Sequence, residues 1–262
     1  MVEVVQMGLV QATAVARESE LLKAPNGVRY AASGENNLAQ ADLERMVQAV
    51  PVSIAGALGG RAYYFVPLAL GSRDGETLNA KANVEETMVA LTYTTELSDQ
   101  AICHRDVPLG GVDGVFISTR LLGDRFALAF EFFINVGHAF VDVAGVPKGF
   151  ADLVWTQVLA DVRGETSQDA WESRAKALPH AKDGDRATID ERARNEYLDA
   201  AFSDAVAIYQ LSLAVDFDYA ELREREYPLL APRSLAERLR LVALLFPPNS
   251  GYEFAIRYRR RN

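Results

Sequence analysis

The chain has 262 residues, 49% of them hydrophobic, with a formal charge of −9 and a single cysteine, Cys103. That much apolar material excludes a disordered chain, the acidic balance opposes nucleic acid at long range, and one cysteine excludes an intrachain disulfide framework. The run MVEVVQMGLVQATAVA has no basic start and carries Glu3, and no segment reads as long and apolar enough to span a membrane, so a cytoplasmic protein with no membrane partner is expected.

In chain order, Gly27 to Val50 begins as a short strand, breaks at Ser33-Gly34, and continues with helical spacing after Asn36-Asn37. A helix start there would gather unpaired N–H groups and the positive end of the dipole, which suits a phosphate or carboxylate; Asn36 would equally serve as an ordinary cap. SIAGALGGRAYYFVPLAL, 53–70, reads as two strands about a Gly59-Gly60 turn, with Pro67 pushing the second toward a sheet edge. Met88 to Thr95 reads as a strand from its Thr, Tyr and Val content. GVFISTRLL and GDRFALAFEFFINV, joined at Gly123-Asp124, read as a hairpin whose second strand alternates Phe126, Leu128, Phe130, Phe132, Ile134 and Val136.

The second half is mostly helical. Phe150, Val154 and Val158 repeat every four residues, Thr188 and Glu191 form a capping box before Leu198, Phe202, Val206, Tyr209 and Leu213, and Ser234 and Glu237 repeat the device before Leu239 and Val242. The polar stretch 163–187 between them, broken by Pro179 and Gly184, reads as a mobile segment or subdomain boundary. YEFAIRYR reads as a returning strand over 252–260, and the arginines of the tail (Arg257, Arg259, Arg260, Arg261) as a solvated terminus. The expected architecture is α+β and a single domain, 1–262: a strand-rich antiparallel sheet from 1–145, a helical region over 146–246, and the late strand.

Motifs that carry chemistry are few. Cys103-His104, His138, Asp142 and Glu131 resemble metal ligands by type, but no pair has a zinc spacing, so neither a metal nor a cofactor is expected. No Walker loop, nucleophile elbow or H-E-x-x-H motif is present, and no residue is singled out as catalytic. Glu131, between Phe130 and Phe132, is the most informative acid: covered by helices it would be desolvated and fit for general acid–base work, and on an open face it would be solvated.

Two family resemblances start from the Ser-Gly step. YAASGENNLAQAD resembles the Ser-Gly-Asp-x-Asn-Pro-x-His motif of MaoC-type hot-dog hydratases, with Glu35 at the aspartate position, Asn37 at the asparagine and Gln40 at the histidine. VRYAASGENNLAQA also resembles the Ile-Ser-Gly-Glu-x-Leu-x-His-Ala step of the RNA-binding backbone subunit of the CRISPR Cascade surveillance complex. ETMVALTYTTEL, QAICHRDV and VFISTRLLGDRFALAFEFFINV follow in that family's order over residues 1–145. The second resemblance implies an RRM-like, ferredoxin-like palm, no catalysis, a role in antiviral defence, and guide RNA held along the palm. It places Arg17, Ser33, Gly34, Asn36, His104 and Arg105 at the RNA or anion, with copies of the chain or other subunits completing an oligomer. A small-molecule enzyme of hydratase or hydrolase type, using Glu131 or the Ser33-Gly34 terminus, and a non-catalytic assembly protein are the alternatives.

Overall fold

The computed structural model of the chain describes residues 8–71, 87–178, 188–222 and 227–256. The fold is α+β, as expected, and divides into two compact units, Met1–Phe132 and Phe133–Asn262.

The first unit holds two sheets. One is antiparallel, in the order β1 (Leu9–Gln11), β6 (Met88–Ala90), β5 (Leu68–Leu70), β7 (Ala101–Ile102). The other is mixed, in the order β2 (Leu22–Lys23), β3 (Arg29–Ala32), β4 (Arg61–Val66), β9 (Asp113–Ser118), β8 (His104–Pro108). In it β3, β4 and β9 run parallel, and only the outer strands β2 and β8 are antiparallel to their neighbours. Three adjacent parallel strands replace the wholly antiparallel sheet that the strand alternation suggested. The crossover from β3 to β4 is supplied by short helices, α2 (Gln40–Gln48) and α3 (Val52–Ala55), and the connection from β4 to β9 runs through β5, β6, β7 and β8. Two more short helices, α1 (Ala12–Glu18) and α4 (Thr95–Ser98), complete the segments before residue 125.

Pro67 marks where the chain leaves one sheet for the other rather than a sheet edge, because β4 is central in the mixed sheet and β5 belongs to the antiparallel one. Cys103 does the same between β7 and β8. Ser118, fully buried, ties the two crossings together: its hydroxyl donates to Ile102 O (2.5 Å) and accepts from Ala69 N (2.7 Å), and its N–H donates to Cys103 O (2.9 Å). One face of the mixed sheet packs Tyr64 against Phe116, stacked at 4.7 Å, in a cluster with Val107, Ala12, Val15 and Val89. The other face packs Tyr63 and Phe65 against Phe132, at 5.0 and 5.7 Å between ring centroids.

Phe132 is core, as its apolar flanks predict, but the segment around it is a helix, α5 (Arg125–Ala144), and not a strand. Its buried residues Leu128, Phe132, Val136 and Phe140 recur every four positions. Asp124, expected at a hairpin turn, starts the helix instead, its Oδ1 accepting from Ala127 N at 2.7 Å. Among the described residues α5 is also the one helix long and apolar enough to cross a membrane, and half of its most apolar window is buried inside the fold. The first limb of the 53–70 hairpin is likewise helical, as α3 and a 3-10 turn over Gly56–Leu58.

The second unit is helical: α6 (Lys148–Leu159), α7 (Gln168–Ala177), α8 (Glu191–Ala214) and α9 (Pro232–Leu245) follow α5. The stripes through Phe150, Val154 and Val158 and through Leu198, Phe202, Val206, Tyr209 and Leu213 are all buried. The caps differ from the expected ones. Asp190, not Thr188, caps α8, its Oδ1 accepting from Arg192 N and Ala193 N, and α9 starts at Pro232 with Ser234 already inside the helix. Helix α7 occupies the middle of the stretch expected to be mobile; 179–187 lie outside the described residues. Residues 252–256 form no strand, and the arginines of the tail lie outside the described residues.

Candidate functional site

The Ser33-Gly34 step is not a helix terminus. Helix α2 begins at Gln40 behind Ala39, and four backbone donors of the intervening loop are bonded within the chain. Ser33 N–H donates to Phe65 O, Glu35 N–H to Leu91 O, Asn36 N–H to Gly34 O and Leu38 N–H to the Asn36 side chain. The Ser33 hydroxyl lies 2.5 Å from that of Ser19. Gly34 has φ of +73°, and a Cβ there would sit 2.4 Å from Leu91 O, so the glycine serves a close backbone approach. Arg17 lies in the last turn of α1, exposed, rather than in a loop.

What the structure does bring together is His104 and Glu131. On β8 the side chains alternate, and pairing sets His104 opposite Ile117, Arg105 opposite Phe116 and Asp106 opposite Val115. His104 and Asp106 therefore share with Tyr63 and Phe65 the face against which Phe132 packs, while Arg105 lies on the opposite face with Phe116 and Val107. Glu131, one residue before Phe132, reaches from α5 to the sheet edge and places Oε1 2.6 Å from His104 Nδ1. The carboxylate side chain is 16% exposed and the imidazole 38%. The hydrogen bond to Glu131 pushes the His104 pKa up; burial opposes it, and the charges of Glu131 and Asp106 add to it.

Around the pair, Arg61 lies 3.9 Å from Asp106 across the strand between them. The Tyr63 hydroxyl is buried without a hydrogen-bond partner among the described residues, and burial above all pushes its pKa up, so it stays a protonated donor. Cys103 is exposed, but burial of its sulfur and the Glu131 charge push the thiol up, which disfavours the thiolate and hence a nucleophilic role. The dyad thus offers a base on a part-exposed ring and an orienting carboxylate, with the second ring nitrogen outside the contact with Glu131. Fixing Nδ1 on a carboxylate selects the tautomer and presents Nε2 for proton transfer.

Sequence reasoning singled out His104 and Glu131 separately and missed Asp106, Arg61 and Tyr63. Period-two spacing in HRDVP was the available signal for Asp106; the 27-residue separation of His104 and Glu131 carried none. Among the described residues no group of three or more His, Cys, Asp or Glu side chains is placed to hold a metal ion. No family model matches the chain, and no curated protein compared with it is significantly similar.

Proposed function

We propose that the protein is an enzyme of hydrolase or hydratase type, in which His104 transfers a proton through Nε2 while Glu131 orients the ring and stabilises its charged form. The observation that supports this reading is the 2.6 Å contact between a part-exposed imidazole and a largely buried carboxylate that shares its face with Asp106 and Tyr63. In that role His104 removes a proton from water or from a carbon acid and returns it to the leaving group or the product, with Nδ1 held by Glu131 throughout. The charges beside it, Glu131, Asp106 and Arg61, sum to −1 while His104 is neutral, so a neutral or cationic substrate suits the site better than a phosphate ester. A cytoplasmic setting accords with the single free thiol.

Guide-RNA binding finds less support. The basic side chains assigned to it do not converge: Arg105 and His104 occupy opposite faces of β8, and the N–H groups of Ser33, Glu35, Asn36 and Leu38 are bonded within the chain.

The test is a panel of activated esters, anilides and enoyl thioesters assayed with wild type, His104→Gln and Glu131→Gln. Turnover should fall by ~10²-fold or more in His104→Gln. In Glu131→Gln the pH–rate limb assigned to His104 should move to lower pH. An activity indifferent to both substitutions would refute the assignment.

A further inference from the structure

In the second unit a short strap, residues 164–167, runs into α7 and carries an unusual density of buried polar groups. Glu165, fully buried, accepts from Arg174 Nη1 (3.0 Å) and Tyr197 OH (2.7 Å) on one oxygen and from Arg238 Nη1 (3.0 Å) on the other. The next two residues turn to a second carboxylate. Thr166 Oγ1 donates to Asp204 Oδ2 at 2.7 Å, and the Ser167 hydroxyl also hydrogen-bonds Asp204 while its oxygen caps α7 by accepting from Ala170 N. The strap is pinned from its other side by Glu165 N–H to Pro228 O, Leu230 N–H to Glu165 O, and Tyr227 OH to Thr166 O.

We propose that the Asp204 carboxyl is a proton-operated latch for α7: protonated, it lets the Ser167 cap and the strap seat fully against α8, and ionised, it loosens them. The two carboxylates are unequal. Glu165 has two guanidiniums, and the other two nitrogens of Arg238 donate to Gln157 Oε1 (2.8 Å) and Tyr197 OH (3.2 Å); among the described residues the direct partners of Asp204 are hydroxyls, those of Thr166 and Ser167. The charged groups that act on it are Glu165 on the strap and Arg238 on α9, with Arg174 on α7 one bond further through Glu165. The Asp204 residue is half-buried on α8. Burial, supplemented by the Glu165 charge, pushes its pKa up to about 6 against the two hydroxyls and Arg238.

The sign follows from linkage. A carboxyl that holds its proton more tightly when seated favours the seated state at low pH, and that advantage is lost as pH rises from the ordinary 3.8 through about 6. Between pH 5 and 7.5 the opening equilibrium of α7 should rise by up to about tenfold.

Hydrogen exchange of the α7 amides in the full chain, corrected for intrinsic exchange chemistry, reads this directly. Protection in wild type should fall by up to ~10-fold from pH 5 to 7.5, and Asp204→Asn should remove the pH dependence. Thr166→Val, which removes a donor favouring the charged form, should move the transition to higher pH. Carboxyl NMR of wild-type Asp204 gives a reading that needs no variant. A midpoint near the ordinary value, or α7 protection with the same pH dependence in Asp204→Asn as in wild type, would overturn the proposal.

Discussion

Replacing Arg238 by Met tests the polar core of the second unit most severely. Arg238 is fully buried and donates to three partners on three elements: Gln157 on α6, Glu165 on the strap and Tyr197 on α8. Met has a comparable unbranched stem and keeps much of the packing, so the loss is chiefly polar. It strands Gln157 Oε1 and one oxygen of Glu165, each at about 1–3 kcal/mol, while the other Glu165 oxygen keeps Arg174 and Tyr197. A total of ~3–5 kcal/mol follows, the range for breaking a buried pair from one side. With a few degrees of Tm per kcal/mol in a chain of this size, calorimetry should show a fall of about 6–20 °C in the transition that includes α6 to α9. Arg238→Lys should recover little, because one ammonium cannot reproduce the fork. The double variant Arg238→Met, Glu165→Gln should lose less than the sum of its single losses, since no buried charge is then left half-paired. A loss under ~1 kcal/mol, or full rescue by lysine, would refute the view that this network holds the helices in register.

Three further outcomes are expected. The raised His104 pKa contributes stability that is complete below the ordinary 6.5 and fades as pH rises through the folded value, so urea midpoints of wild type and Glu131→Gln should converge above that value; a constant offset would mean that the pair is uncoupled. Iodoacetamide should modify Cys103 slowly for an exposed thiol, and faster in Glu131→Gln, which removes a charge opposing the thiolate; equal rates would remove the electrostatic account. Gly34→Ala should destabilise by more than ~1 kcal/mol in chemical denaturation, because positive φ and a backbone oxygen 2.4 Å from the new Cβ act together; a neutral result would show that the loop moves freely.

The helices of the second half were legible because their apolar residues fall on one face at a spacing of four, and Phe150, Val154 and Val158 are buried as that spacing requires. α5 was not, for a physical reason: a helix apolar nearly all round satisfies period two and period four at once. Phe126, Phe130 and Phe132 read as one strand face, yet Phe126 and Phe130 stack 5.8 Å apart as successive turns of a helix while Phe132 fills the core. Gly123-Asp124 was equally double-valued, since the residues that close a hairpin also cap a helix. That one misreading concealed the site. As a strand, 126–136 would set Glu131 opposite Phe130 and Phe132 on one face or the other; as a helix it carries Glu131 along the flank of the buried stripe to the edge of the sheet, where β8 presents His104. The dyad is therefore a product of long-range packing, in which the helix that follows β9 carries Glu131 to His104 on β8, and no local pattern in either segment encodes it.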